Sequence, residues 1–113
     1  MPENGAQDTA RTLNLLDPLL MHKGRLGICA LLARADALSF SRLKELLEES
    51  DGNLGAQLRK LEEGGYITVK KEFVNRKPVS WYALQESGRT AMTGHLSAIA
   101  ALIESGSDGG SPE

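Results

Sequence analysis

Residues 50–84 read SDGNLGAQLRKLEEGGYITVKKEFVNRKPVSWYAL, and within them the hydrophobic period changes from helical to extended. Leu54, Leu58 and Leu61 recur at i, i+4 and i+7, which predicts a helix over 53–63 with a narrow apolar stripe. Ser50 or Asp51 precedes it as an N-cap, because a short oxygen-bearing side chain can accept the unpaired N–H groups of a first turn. Gly64-Gly65 ends it, since glycine enters the left-handed C-cap conformation at little steric cost. From Tyr66 the run YITVKKEFV is β-rich and alternating, with Ile67, Val69 and Phe73 on one side. NRKP at 75–78 reads as a turn and VSWYAL at 79–84 as the returning strand. Trp81 and Tyr82, being adjacent, face opposite ways, so one of them packs on the core.

Upstream, residues 12–21 form a first helical segment with Leu13, Leu16 and Leu20 on one face, shortened, kinked or split by Pro18. Residues 23–34 are apolar around most of a helix circumference, as suits a central buried helix. ADALSF at 35–40 breaks the pattern with room for a very short strand, and Ser39 or Ser41 caps a helix running to about Glu48. Downstream, a last helix presents Met92, Leu96, Ile99 and Ile103 at near-heptad spacing. The tails 1–11 and 105–113 are rich in Gly, Ser, Pro, Asn and acids, a disordered composition.

Two modest helices joined by a tight turn and followed by a hairpin make a winged helix-turn-helix. The expected class is α+β and mainly helical, a three-helix core plus a β-hairpin wing with an additional C-terminal helix. The domain covers 12–85, including an N-terminal helix, and the dimerisation helix 86–104.

A chain of 113 residues, 41% apolar and 25% charged, holds one core. No apolar run approaches the roughly 18 residues that span a bilayer, and the N-terminus lacks a signal-peptide stretch, so no membrane role and a cytoplasmic location are expected. Cys29, the single cysteine, sits in the most apolar helix and reads as an inert core thiol. His22, His95 and Cys29 have no metal-ligand spacing, so no metal or cofactor is expected, and His95 reads as a surface or interface residue. There is no phosphate loop and no nucleophile paired with a base, and so short a chain would scarcely enclose a substrate; an enzyme is not expected.

The net charge is −2, but residues 51–82 carry six basic side chains against four acidic ones. Four of the six fall within 70–77. A locally basic segment in an acidic chain is the footprint of a polyanion-binding surface. Helix 53–63 would enter the major groove, whose width of about 12 Å accepts one α-helix. Its outer face offers Ala56, small enough for close approach, with Asn53 and Gln57 suited to adenine and Arg59 and Lys60 to guanine or phosphate. The wing, about 70–79, would hold the backbone or minor groove through Lys70, Lys71, Arg76 and Lys77. An exposed polar helix face is by itself only a solvated surface; the hairpin directly behind it is what makes it a recognition helix. A winged helix acting as a protein-interaction module without DNA contact is the alternative.

Three runs carry a resemblance: LDPLLMHKGRLGICALL at 16–32, SDGNLGAQLRKLEEGGYI at 50–67 and RKPVSWYALQESGR at 76–89. Across 16–103 the chain resembles small stand-alone winged-helix regulators related to the MarR-like bacterial and archaeal proteins. The resemblance implies a DNA-binding winged helix dimerised largely through its terminal helices. It implies no particular operator and no effector. The apolar stripe of the last helix, in a chain whose core is complete without it, argues for a homodimer independently. Leu13, Leu16, Met92, Leu96, Ile99 and Ile103 are the expected interface. A two-fold dimer sets its recognition helices about 34 Å apart and makes the site on double-stranded DNA a palindrome.

Overall fold

The computed structural model describes the backbone of residues 2–110 and the side chains of residues 8–104. Element order is α1 (Pro2–Leu13), a 3₁₀ turn (Pro18–Met21), α2 (Lys23–Leu32), β1 (Leu38–Ser39), α3 (Phe40–Leu47), α4 (Asp51–Glu63), β2 (Ile67–Val74), β3 (Lys77–Leu84) and α5 (Glu86–Gly110). The three strands are antiparallel in the order β1-β3-β2.

The helical segment expected over 12–21 is split at Pro18 into two elements. Pro18 supplies no N–H and starts the 3₁₀ turn, with Asp17 capping it by accepting from Leu19 N at 2.8 Å. Helix α1 ends at Leu13 and reaches back to Pro2, into the segment read as a tail. The side chains of 1–7 and of 105–113, where most of both expected tails fall, lie outside the described residues.

Local chemistry sets the other boundaries. His22 Nδ1 accepts from Gly24 N at 3.0 Å and caps α2. Ser39 Oγ accepts from Arg42 N at 3.1 Å and caps α3. Ser50 Oγ accepts from Asn53 N at 3.2 Å, so α4 begins at Asp51, two residues before the expected start. Between α3 and α4 the chain turns through Glu48 at φ 54, a left-handed position occupied by a residue with a Cβ. At the far end of α4, Gly64 keeps right-handed geometry and Gly65 takes the left-handed role at φ 82. Bonds from Gly65 N to Glu62 O at 3.0 Å and from Tyr66 N to Leu61 O at 2.9 Å complete a Schellman closure.

The hairpin turn is two residues rather than four. Asn75 and Arg76 both have positive φ, 54 and 68, the signature of a type I′ turn whose twist matches that of paired strands. Lys77 and Pro78 therefore belong to β3. Val74 opposite Lys77 closes the turn, which makes Phe73 opposite Pro78 a non-hydrogen-bonded pair. The missing N–H of Pro78 faces the open edge of β3, where the two-residue β1 does not reach.

The core comprises Leu20, Ile28, Cys29, Leu32, Leu43, Leu54, Leu58, Leu61 and Ile67, all nearly inaccessible. Tyr82 is the strand aromatic that packs against it. Burial pushes the Cys29 thiol up to about 11, with the charge of Asp17 adding to the shift, so it stays protonated and unreactive. Helix α1 packs along α5. The radius of gyration, 17.8 Å, exceeds the roughly 13 Å of a compact chain this long, because α5 and the wing project from the core.

Candidate nucleic-acid interface

Helix α4 is held by Leu54, Leu58 and Leu61, each at most 1% exposed, which turns positions 52, 56, 59 and 63 outward. Asn53, Arg59 and Lys60 are exposed and Ala56 is half-buried. One flank of α4 meets the sheet in a cleft of about 240 Å³ lined by Gly55, Leu58, Arg59, Glu62, Val69, Lys71 and Tyr82. Arg59 of the helix and Lys71 of the wing thus share one concavity.

Gln57 is placed differently from its neighbours. It lies half-buried on the opposite flank, where Arg25 Nη1 of α2 donates to its Oε1 at 2.7 Å. Arg25 Nε donates in turn to Leu19 O at 2.6 Å. Because a guanidinium has only donors, this bond fixes the orientation of the amide and leaves the NH₂ group as its free end. Sequence reading missed Arg25, since its only local sign is an arginine inside an apolar helix.

The wing divides its cations between two faces, as successive strand residues must. Lys71 and Phe73 share the face of Ile67 and Val69, toward α4; Lys70, Glu72 and Val74 point the other way, with Lys77 opposite Val74. Arg76 sits in the turn. Among the described residues Arg59, Lys60, Lys70, Lys71, Arg76 and Lys77 form no ion pair. Asp51 at the start of α4 is paired with Lys44 of α3 at 3.0 Å, which moderates the acid where a phosphate would approach.

A polar junction ties this surface to the terminal helices. Tyr66 donates its hydroxyl to Asp17 Oδ2, and Asp17 N donates to His95 Nδ1 of α5 at 2.9 Å. His95 is 2% exposed, so it is a satisfied interior residue and not the surface or interface residue that sequence suggested. Loss of solvent around the Tyr66 hydroxyl, then its bond to Asp17 and that residue's charge, push it up to about 12. At the same junction a Cβ on Gly88 would lie 2.4 Å from Tyr66 O.

On α5, His95 and Ala98 face inward and Met92 packs against the domain's own core. Met92 therefore stands apart from the other expected interface residues. Leu96, Ile99 and Ile103 are 46%, 36% and 67% exposed, and Leu13 of α1 is 50% exposed. Leu16 is half-buried.

A helix-turn-helix whose second helix is backed by a three-stranded sheet and a projecting hairpin defines the winged-helix class. The winged helix DNA-binding domain family matches residues 25–103, and the chain belongs to it. An uncharacterized protein of Methanocaldococcus jannaschii is 35% identical over 78 residues, 69% of this chain and 85% of that protein. Among solved structures, a transcriptional regulator homologue from Pyrococcus horikoshii OT3 superposes with TM-score 0.73 at 24% identity, covering 89% of this chain and 95% of that one. ZitR of Lactococcus lactis, a zinc-responsive MarR family member, superposes with TM-score 0.55 at 20% identity, covering 76% of this chain and 58% of its own; a mutant of it in complex with DNA superposes with TM-score 0.55 at 20% identity, covering 78% and 59%. The fold is that of the MarR-like regulators, and the family is one of DNA-binding domains. No helix among the described residues is long and apolar enough to cross a membrane.

Proposed function

We propose that this chain is a homodimeric transcriptional regulator that binds a palindromic site on double-stranded DNA. Helix α4 enters the major groove, where Asn53, Ala56, Arg59 and Lys60 meet base edges and phosphates. The wing follows the adjacent backbone through Lys71 and Arg76, with Lys70 and Lys77 on its reverse side adding longer-range attraction. Gln57 offers only its NH₂ group, so it suits an acceptor such as guanine O6 or thymine O4 better than the paired donor and acceptor of adenine.

The observation that carries this reading is the cleft shared by Arg59 and Lys71, with unpaired cations continuing from it to the wing turn. ZitR, which has this fold, has been solved on DNA, and that supports the same partner here. The dimer rests on the apolar strip of Leu13, Leu96, Ile99 and Ile103, which a second copy of the terminal helices would cover. The domain over 12–85 then reads DNA and the helix from 86 onward sets the spacing of the two half-sites.

Selection from a library of random duplexes at moderate salt tests the whole reading. Enrichment of a two-fold symmetric motif is the expected result and gives the half-site spacing. Absence of enrichment, with no binding even at low salt, would instead make the domain a protein-interaction module.

A further inference from the structure

The wing carries an aromatic side chain that the domain does not use. Phe73 is 75% exposed, whereas Ile67, on the same strand face, is 2% exposed. Burial therefore does not explain a phenyl ring at this position. The strand register puts Phe73 two residues beyond Lys71 on the side that faces α4, about 7 Å further toward the tip. Its cross-strand neighbour is Pro78, in a pair type that brings the two side chains close. The rigid proline and the tight Asn75-Arg76 turn give the ring firm backing.

Lys71 lies on the same strand face and Arg76 in the adjoining turn, neither of them ion-paired among the described residues. An apolar group flanked by unneutralised cations complements a surface that is anionic at its rim and apolar within. The minor groove of DNA is such a surface: phosphates line its walls, and sugars and stacked bases form its floor.

We propose that Phe73 is a minor-groove wedge, entering beside the major-groove site of α4 and partly unstacking one base step so that the duplex kinks. This rests on the DNA-binding reading above. Pyrimidine–purine steps open most easily, so the wedge adds a sequence preference at a flanking position that no hydrogen bond reads.

The test runs the random-duplex selection in parallel for the wild type, Phe73→Ala and Phe73→Leu. Phe73 touches little of its own domain, so circular dichroism is expected to be unchanged in both variants. The wild type is expected to enrich a TA or CA/TG step flanking the central motif. Phe73→Ala is expected to keep the central motif, lose the flanking step, bind the wild-type sequence roughly tenfold more weakly and bend it less in end-to-end energy transfer. Its salt dependence stays at the wild-type slope, because no charge is removed. Phe73→Leu, still apolar, retains part of the bend. Should Phe73→Ala keep flank, affinity and bend, the wedge is wrong while DNA binding stands. A change of self-association with Phe73→Ala, and none in DNA bending, would assign the ring to a second copy and overturn the wedge. If the wild type enriches nothing, the wedge and the DNA reading fall together.

Discussion

Arg25 reaches from α2 to hold the side-chain oxygen of Gln57 on α4 at 2.7 Å. Thirty-two residues separate the pair, and through it the recognition helix is tied to the helix beneath it. The bond presents Gln57 as a donor and also makes it part of the scaffold. Arg25→Ala and Gln57→Ala are each expected to cost about 1–2 kcal/mol of stability. In a double-mutant cycle measured by urea unfolding the two losses should be markedly less than additive. Additive losses would mean that the two side chains act independently.

Replacing Arg76 and Lys77 together by alanine removes wing cations without touching the core. Binding to specific and random duplexes should weaken alike, and the slope of log affinity against log salt should fall by about one, the phosphate contact of Arg76. An unchanged slope would show that the wing does not meet phosphate.

At Gly88 the obstacle to a side chain is the backbone carbonyl of Tyr66, which cannot rotate aside. Gly88→Ala should therefore lower the melting temperature strongly, by the several degrees that correspond to about 2 kcal/mol or more, as overpacking does. Gly94, with nothing within reach of an added Cβ, is the control: Gly94→Ala should be neutral or mildly stabilising. Equal effects at the two sites would contradict the close approach of α5 to Tyr66.

Stability should fall in alkaline solution. The folded-state pKa values of Cys29, about 11, and Tyr66, about 12, are raised, chiefly by burial and then by Asp17. A raised value means that the stabilisation is complete below the unfolded pKa and is lost as pH rises toward the folded one. For the thiol that window opens near pH 9 and closes near 11. Thermal melts across it should show a steeper decline for the wild type than for Cys29→Ala, which has no thiol to ionise. Parallel curves would exclude the thiol as the cause.

The apolar strip of α5 gives a separate test of assembly. Ile99→Glu with Ile103→Glu places charge on its exposed side and should yield a folded monomer by sedimentation, whose affinity for a two-fold motif falls to about that for a single half-site. A wild type already monomeric at micromolar concentration would remove the dimer.

Much of the fold was legible because it is decided locally. The four-three spacing of Leu54, Leu58 and Leu61, the serine caps and the alternation from Ile67 depend on backbone geometry within a few residues. The hairpin turn was legible in place but not in length, since Lys77 and Pro78 take extended geometry only because Val74 and Phe73 lie opposite them. Pro18, too, announced a break whose form depended on Asp17 capping the next turn.

The candidate site divides along the same line. Sequence alone placed Arg59 and Lys60 on the outer face of α4 and cations on the wing, because an apolar stripe leaves the opposite face to solvent wherever the helix packs. Only the tertiary structure decided that Gln57 is held by Arg25, that Lys71 rather than Lys70 shares the cleft with Arg59, and that Met92 turns inward while Leu96 does not. His95 shows the reason most plainly. Its partner, the backbone N–H of Asp17, is 78 residues away, and a polar group becomes interior only when folding brings it a partner to replace water. Periodicity tells which side of an element is buried; what that side is buried against depends on contacts between distant parts of the chain.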